Sequence, residues 1–178
     1  RVNFFIGLLL LALTIYFVLS FVSFFTTGAA DQSLIEDPRP DELLNEKRIF
    51  ANSCGSIGAH TAYYFVKQCF GLAAFMIPAF MLLMGLNLMR AYKVNLLKWF
   101  MCLMILMIWL SITLSKFLTP LFIDSHFNPG GDHGLYICQT IENLVGSPGL
   151  TAILALTALA FLTYISAETI YIIRKILN

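Results

Sequence analysis

The chain has 178 residues, of which 59% are hydrophobic and only 12% are charged, and its formal net charge is +1. Soluble domains carry about 25% charged residues, so this composition and a mean hydropathy of +0.82 argue against a soluble core and indicate an integral membrane protein. The net charge gives no sign of the basic stripe that nucleic-acid-binding domains use. The sequence also contains no P-loop, dinucleotide-binding or HExxH motif.

Four long apolar runs predict four transmembrane helices, so the predicted fold class is an all-α integral membrane protein. The first run, Phe4–Phe25, holds 22 residues without a charge. A helix of that length covers roughly 33 Å and crosses a hydrocarbon core of about 30 Å. It exceeds the apolar region of about 7–15 residues in a signal peptide, which favours a retained span. The predicted spans are residues 4–25, 69–89, 99–122 and 149–173.

The basic residues predict which side of the membrane each end lies on. Arg90, Lys93 and Lys98 fall in the short connection before the third span, which contains no acid. The positive-inside rule therefore places this connection in the cytoplasm. Arg174 and Lys175 close the last span on the same side, so both termini are predicted to be cytoplasmic.

Two polar segments, residues 26–53 and 123–148, are predicted on the outer side. The first holds six acids against three bases, and Pro38 and Pro40 keep its middle extended because proline disfavours helix in the residue before it. Acids at 41–42 and bases at 47–48 would also suit the dipole of a short helix. The prediction for this segment is a solvated linker, and the alternative is a contact with a partner outside the membrane.

A predicted amphipathic helix follows the first outer segment at residues 56–70, and a second one lies within the second outer segment at residues 134–146. In the first, the polar residues His60, Tyr64 and Lys67 follow one another at i, i+4 and i+7. This spacing is typical of a helix that lies in the membrane interface or packs across the end of a bundle.

Glycines recur with matched spacing and predict an internal repeat. Gly55 and Gly58 are followed, 13 positions on, by Gly71 and an apolar run; Gly131 and Gly134 are followed, 12 positions on, by Gly146. Each copy reads span, outer loop, amphipathic helix, span. Copies of this kind are parallel rather than inverted, which argues against a transporter built from inverted repeats.

Structural roles are predicted for eight small or rigid residues. Gly71 is expected to turn the first surface helix into the bilayer, and Pro78 is expected to kink the second span near its middle because its ring removes a backbone hydrogen bond. The full set is Gly55, Gly58, Gly71, Pro78, Gly131, Gly134, Gly146 and Gly149.

No catalytic, cofactor-binding or metal-binding residues are predicted. The four cysteines form no CxxC pair, which disfavours a membrane redox enzyme. A Cys54–Cys138 bridge would be possible in an oxidising compartment, with unbridged apolar thiols as the default. Several acids and histidines surround the outer Gly-Pro turn and could bind a metal ion. Such a turn does not guarantee that four ligands converge on one point. These are Asp124, His126, Asp132 and His133.

Two charged residues lie inside predicted spans. Lys116 stands six residues from the end of the third span and is predicted to extend its amine to the outer interface. Glu168 lies about 28 Å along a helix from Gly149 and is predicted to reach water or a neighbouring base near the inner interface. A proton-relay role for Glu168 is the alternative.

The order of these features resembles the N-terminal membrane domain of the FtsK/SpoIIIE DNA translocases. The residues that carry the resemblance are NSCGSIGA at 52–59, FGLAAFMIP at 70–78, GLNLMR at 85–90, GGDHG at 130–134 and GSPG at 146–149. The resemblance covers nearly the whole chain. The acidic first outer segment is longer than is usual in that family.

The resemblance implies that the chain is the membrane anchor and assembly domain of a septal, ATP-driven DNA translocase, which acts in cell division and chromosome segregation. It implies a multi-pass location in the bacterial inner membrane at the division septum. The expected partners are the lipid bilayer, other copies in a hexamer and membrane proteins of the division machinery. The ATP-binding motor would lie downstream, so these residues would form no enzyme, hold no cofactor and meet DNA only through the motor.

The residues alone leave one alternative from another class, a small polytopic transporter or channel subunit. Such a protein needs polar groups along a path at mid-membrane. The centres of the spans offer few of them, namely Thr14, Ser111, Thr113 and Thr157.

Overall fold

The computed structural model describes the backbone of residues 1–177 and the side chains of residues 1–166, and every regular element in that part of the chain is helical. The helices are α1 (Val2–Glu36), α2 (Gly55–Ala62), α3 (Met76–Leu88), α4 (Leu96–Leu118) and α5 (Gly131–Leu177). A π-helix (Tyr63–Phe70) and a 3₁₀-helix (Gly71–Phe75) join α2 to α3, and a 3₁₀ turn (Thr119–Leu121) follows α4.

Four helical segments are long and apolar enough to cross a membrane, which confirms the all-α class and the number of predicted spans. They are Val2–Glu36, Gly55–Leu88, Leu96–Leu121 and Gly131–Ser166. The cytoplasmic location of both termini stays a prediction. The side chains of Glu168, Arg174 and Lys175 lie outside the described range.

α1 continues to Glu36, eleven residues past the predicted end of the first span at Phe25, so residues 26–36 are helix and not loop. The hydroxyls of Thr26 and Thr27 donate to the Ser23 carbonyl at 3.1 and 2.8 Å, as threonines do inside a helix. The helix stops where Asp37 precedes Pro38, because the proline ring disfavours the helical conformation of that residue.

Residues 37–54 form no helix, so the short helix that the charge order after Pro40 would suit is absent. Leu44 (φ 56°) and Asn45 (φ 53°) take the left-handed conformation and break it. The buried Asn45 amide donates to the Leu34 carbonyl at 2.5 Å and accepts from the Arg39 N–H at 3.1 Å. The loop is thereby folded back onto the end of α1.

The buried apolar core lies where α1 meets the π-helix and the 3₁₀-helix. It is built from Phe21, Phe24, Ala62, Val66 and Ala74, with further phenylalanines packed around them. Phe21 makes edge contacts with Phe17 and Phe75 at ring-centre distances of 5.7 and 5.5 Å.

The sequence predicted that Pro78 kinks the second span near its middle, and this kink stays a prediction. Pro78 is buried and is the third residue of α3, because the five residues before α3 form a separate 3₁₀-helix. The N–H groups of a helix's first turn have no partner within the helix, so a proline costs little there.

The chain divides into two compact units, residues 1–136 and 137–178. The first unit holds α1 to α4 and the start of α5. In the second, α5 is interrupted at Gly146 (φ 78°, ψ 164°), and Pro148 follows. The helix then resumes, and the Thr151 hydroxyl donates to the Ser147 carbonyl at 2.9 Å.

Candidate functional site: a polar seam and a glycine crossing

One face of α1 carries polar side chains although the helix is otherwise apolar. They recur in steps of three or four residues, which places them on one side of a helix, and they are Tyr16, Ser20, Ser23, Thr27 and Asp31. Ser20, Ser23 and Asp31 are buried. We call the contact between this face and residues 51–58 the polar seam.

Asn52 is the centre of the polar seam and is only 4% exposed. Its side-chain amide donates to the Ser20 carbonyl at 3.1 Å, its side-chain oxygen accepts from the Cys54 N–H at 2.9 Å, and its own N–H donates to Asp31 at 2.9 Å. The second oxygen of the Asp31 carboxylate accepts from the Ala51 N–H at 2.7 Å. A buried carboxylate needs such partners, and two successive N–H groups supply them here.

Three more hydrogen bonds extend the polar seam along α1. The Ser20 hydroxyl donates to the Gly58 carbonyl at 2.6 Å, the Tyr16 hydroxyl donates to the Cys54 carbonyl at 2.9 Å, and the Ser53 N–H donates to the Ser23 hydroxyl at 3.0 Å. A Cβ atom at position 58 would stand 3.0 Å from the Asn52 side-chain oxygen. A side chain at position 58 would therefore crowd the turn at residues 52–54 that carries Asn52.

An ionic cluster lies at the C-terminal end of α1. Glu36, the last residue of α1, accepts from the Tyr63 hydroxyl at 2.6 Å and from the Gln32 amide at 2.8 Å. The Lys67 amine lies 3.5 Å from the same carboxylate. The end of α1 is thus fastened to the π-helix.

A second structural site lies where Gly71 meets Gly131, and we call it the glycine crossing. Gly71 has φ 62° and ψ −135°, a region essentially limited to glycine, and Gly131 has φ 75°. A Cβ atom on Gly71 would collide with the Pro129 carbonyl, and one on Gly131 would collide with the Cys69 carbonyl. The Leu72 N–H donates to the Pro129 carbonyl at 2.8 Å, so main chain packs directly against main chain.

α4 supports the glycine crossing from a third direction. The buried Ser111 hydroxyl donates to the Gly130 carbonyl at 2.5 Å, and the Ser115 hydroxyl donates to the Ser111 carbonyl at 2.8 Å. A Cβ atom on Gly134 would lie 2.9 Å from the Ser111 carbonyl oxygen. The Ser111 hydroxyl therefore binds the turn at residues 129–131 to α4.

Comparison with known families decides what this architecture is. The family model of the 4TM region of DNA translocase FtsK/SpoIIIE matches residues 1–176. The chain belongs to this family. No curated protein and no solved structure showed a significant match to it.

Membership of the FtsK/SpoIIIE family confirms the resemblance that the sequence motifs indicated. The four apolar helices and this family together make the chain a multi-pass membrane protein. The 4TM region is the membrane part of FtsK/SpoIIIE and not its motor.

The FtsK/SpoIIIE motifs contain the residues for which structural roles were predicted, and these residues occupy different environments. Gly58, Gly71, Gly131 and Gly134 lie in the two contacts described above. Gly55 (φ 66°) begins α2, and a Cβ atom added there would have no atom within 4 Å, whereas a Cβ atom on Gly149 would lie 2.9 Å from Val145.

The repeat predicted from glycine spacing stays a prediction, and four of its glycines share a backbone feature. Among the described residues, the glycines with positive φ are Gly55, Gly71, Gly131 and Gly146. Gly55 and Gly71 flank the first predicted amphipathic helix, residues 56–70. Gly131 lies three residues before the second, residues 134–146, and Gly146 is its last residue. A positive φ thus occurs at or near both ends of each predicted amphipathic helix.

The cysteines and histidines of this FtsK/SpoIIIE region have structural surroundings. Cys54 is a free thiol, so the bridge to Cys138 is not formed, and burial raises the pKa of the Cys54 thiol. His126 lies 3.2 Å from the Phe24 carbonyl, and Asp132 accepts from the Asn128 amide at 2.9 Å. Within the described part of the chain, no group of three or more His, Cys, Asp or Glu residues is placed to hold a metal ion.

Lys116 is found in the last turn of α4, and its amine lies 5.9 Å from the centre of the Phe117 ring. The sequence predicted that this amine extends to the outer interface, and a position in the last turn of the helix is compatible with that prediction.

Sequence reasoning missed the residues that form the polar seam. Asn52 entered only through the family motif, and the polar residues of α1 were not singled out, although their spacing in an apolar run was a readable signal. The four-residue step from Ser111 to Ser115 was a similar signal in α4.

Proposed function

We propose that this chain is the membrane anchor and assembly domain of a septal DNA translocase that acts in cell division and chromosome segregation. The observation that carries the proposal is the match of the FtsK/SpoIIIE 4TM region to residues 1–176, across four helices able to span a membrane. The use of buried polar groups supports it, since Asn52, Asp31 and Ser111 tie helices together.

In this proposal both termini lie in the cytoplasm of a bacterial cell, and the domain sits in the inner membrane at the division septum. The ATP-driven motor follows the last span, so DNA is met only through the motor and this domain needs no cofactor. Six copies assemble, and membrane proteins of the division machinery are the partners. The two copies of span, outer loop, amphipathic helix and span pack in parallel.

The proposal is tested by exchanging this domain in the full-length translocase for an unrelated four-span domain of the same topology. We expect the chimera to stay in the membrane and to lose its enrichment at the septum, measured by fluorescence microscopy in cells depleted of the native protein. Septal enrichment of the chimera equal to that of the native protein would place the targeting information outside these residues.

The transporter or channel alternative finds little support among the described polar groups. The hydroxyls of Thr14 and Thr113 donate to carbonyls one turn back in their own helices, at 2.7 and 2.8 Å. The Ser111 hydroxyl is bound to the outer turn. Planar-bilayer recording of the purified chain tests this function, and steady ion conductance would favour it over the anchor.

A further inference from the structure

The start of α1 and the end of α3 enclose an open cavity of about 430 Å³. It is lined from α1 by Arg1, Val2, Asn3 and Phe4 and from the end of α3 by Leu88, Met89 and Arg90. Two arginines therefore line one cavity, together with the polar residue Asn3 and four apolar residues. Among the described residues, no acid lines this cavity.

A close helix crossing fixes the two walls of this cavity. A Cβ atom on Gly7 would lie 2.7 Å from the Gly85 carbonyl oxygen, and one on Gly85 would lie 3.0 Å from the Gly7 carbonyl oxygen. This contact stands about one to two helical turns from Arg1 and Arg90. The spacing of the two arginines is consequently set by packed backbone.

Arg90 occupies a conformation that its residue type disfavours. Its φ is 60°, and the Ala91 N–H donates to the Leu86 carbonyl at 3.0 Å. Helices that end in this way usually carry glycine or asparagine at the left-handed position. An arginine there costs about 1 kcal/mol of backbone strain, and an outlier of this kind points to a role for the side chain.

Neither guanidinium has a hydrogen bond or ion pair to a described side chain, and both residues are exposed. Guanidinium groups bind phosphate oxygens through two parallel N–H bonds. Basic pockets between transmembrane helices are suited to anionic lipid headgroups. The apolar side chains Val2, Phe4 and Leu88 would meet the glycerol and upper acyl region of such a lipid.

We propose that Arg1 and Arg90 form a binding site for the phosphate of an anionic phospholipid. The ligand is a lipid and not free phosphate because the cavity lies at the ends of two apolar spans and four of its seven lining residues are apolar. One lipid would then bridge the start of α1 and the end of α3.

Native mass spectrometry of the purified chain tests the proposal, in mild detergent with equal amounts of phosphatidylglycerol and phosphatidylcholine. We expect the chain to retain phosphatidylglycerol, and Arg90→Asn to lower its retention about tenfold, the loss of a two-bond phosphate contact. Asparagine tolerates positive φ, so this variant removes the guanidinium and keeps the backbone turn. Arg1→Gln should produce a similar loss.

Lys93→Gln is the matched control, because it removes one positive charge from the same connection at a residue that does not line the cavity. Its retention of phosphatidylglycerol should stay within about twofold of the native chain, since an exposed charge contributes little. An equal loss in Lys93→Gln and Arg90→Asn would overturn the proposal, as would equal retention of the two lipids by the native chain. Displacement of the lipid by millimolar inorganic phosphate would identify a soluble anion as the ligand and would also overturn it.

Discussion

At the scale of single residues, several of the buried polar groups join segments that lie far apart in sequence. Asn52 and Asp31 illustrate this, since a buried amide and a buried carboxylate together satisfy main-chain groups of both α1 and the segment before α2. Removing one partner from such a set leaves others buried and unsatisfied, which costs more than the bond itself contributes.

Asn52→Ala should therefore destabilise the domain by about 1–3 kcal/mol. The Ser20 carbonyl and the Cys54 N–H would each lose a partner. The measurement is the thermal unfolding midpoint in mild detergent, with Asn143→Ala as the control because Asn143 is exposed. Equal midpoints for the two variants would show that Asn52 is not a stabilising centre.

Cys54 should react slowly with alkylating reagents at neutral pH. Burial raises the pKa of its thiol, and the thiolate is the reactive form, so the reactive fraction grows only at a more alkaline pH than for an open cysteine. Iodoacetamide rates measured from pH 7 to about 10 check this in a background where the other three cysteines are serine. Cys54 serves as the test thiol, and Glu46→Cys with Cys54→Ser serves as the exposed reference. Superimposable rate profiles would contradict the expectation.

At the scale of elements, glycines of positive φ lie at or near the ends of the predicted interfacial helices. Gly55 and Gly71 differ in what an added side chain would contact. Both have left-handed φ, but a side chain at position 55 would enter open space, whereas one at position 71 would strike the Pro129 carbonyl. Substitutions at these two positions therefore separate the cost of backbone strain from the cost of losing the glycine crossing.

Gly55→Ala should cost about 1 kcal/mol, the strain of a left-handed alanine. Gly71→Ala should cost several times more, because the same strain is joined by a collision with main chain and by loss of the Leu72–Pro129 hydrogen bond. Thermal unfolding of the two variants side by side gives the comparison. If both midpoints fell equally, the contact with Pro129 would carry no stability.

Sequence reasoning found the four spans because an apolar run of about 20 residues is decided by local composition alone. It placed the end of α1 too early because charge and polarity were read as loop, although nothing before Pro38 forbids helix. It did not place Pro78 in the first turn of a helix, because that position depends on the division of Gly55–Leu88 into three kinds of helix. One division falls at the glycine crossing, a contact between residues 71 and 131, which are far apart in the chain. The polar seam was readable in its spacing, but its partners at 51–58 were not.

At the scale of the whole molecule, several hydroxyl groups within the spans are bound to protein, among them those of Thr14, Ser20 and Ser111. The Ser20 and Ser111 bonds join segments that lie far apart in the sequence. This agrees with membership of a family whose 4TM region accompanies a motor and is not one.

The predicted topology is tested by labelling single cysteines in intact cells with a membrane-impermeant maleimide. In a chain lacking native cysteines, Glu46→Cys should be labelled at once because the first outer segment faces outward. Lys93→Cys should be labelled only after lysis, because its connection is cytoplasmic. Both residues are exposed, so access to the reagent depends on the side of the membrane. The reverse pattern would invert the topology.

The glycine crossing also has a mechanical meaning. Side chains that meet across an interface can change rotamer and let two elements slip, whereas two stretches of main chain in contact at Gly71 and Gly131 have no such freedom. Under tension along the chain, we expect this contact to stay rigid and not to act as a hinge. A pull applied at the start of α5 would reach the 3₁₀-helix at Gly71 through packed main chain and the Leu72–Pro129 hydrogen bond.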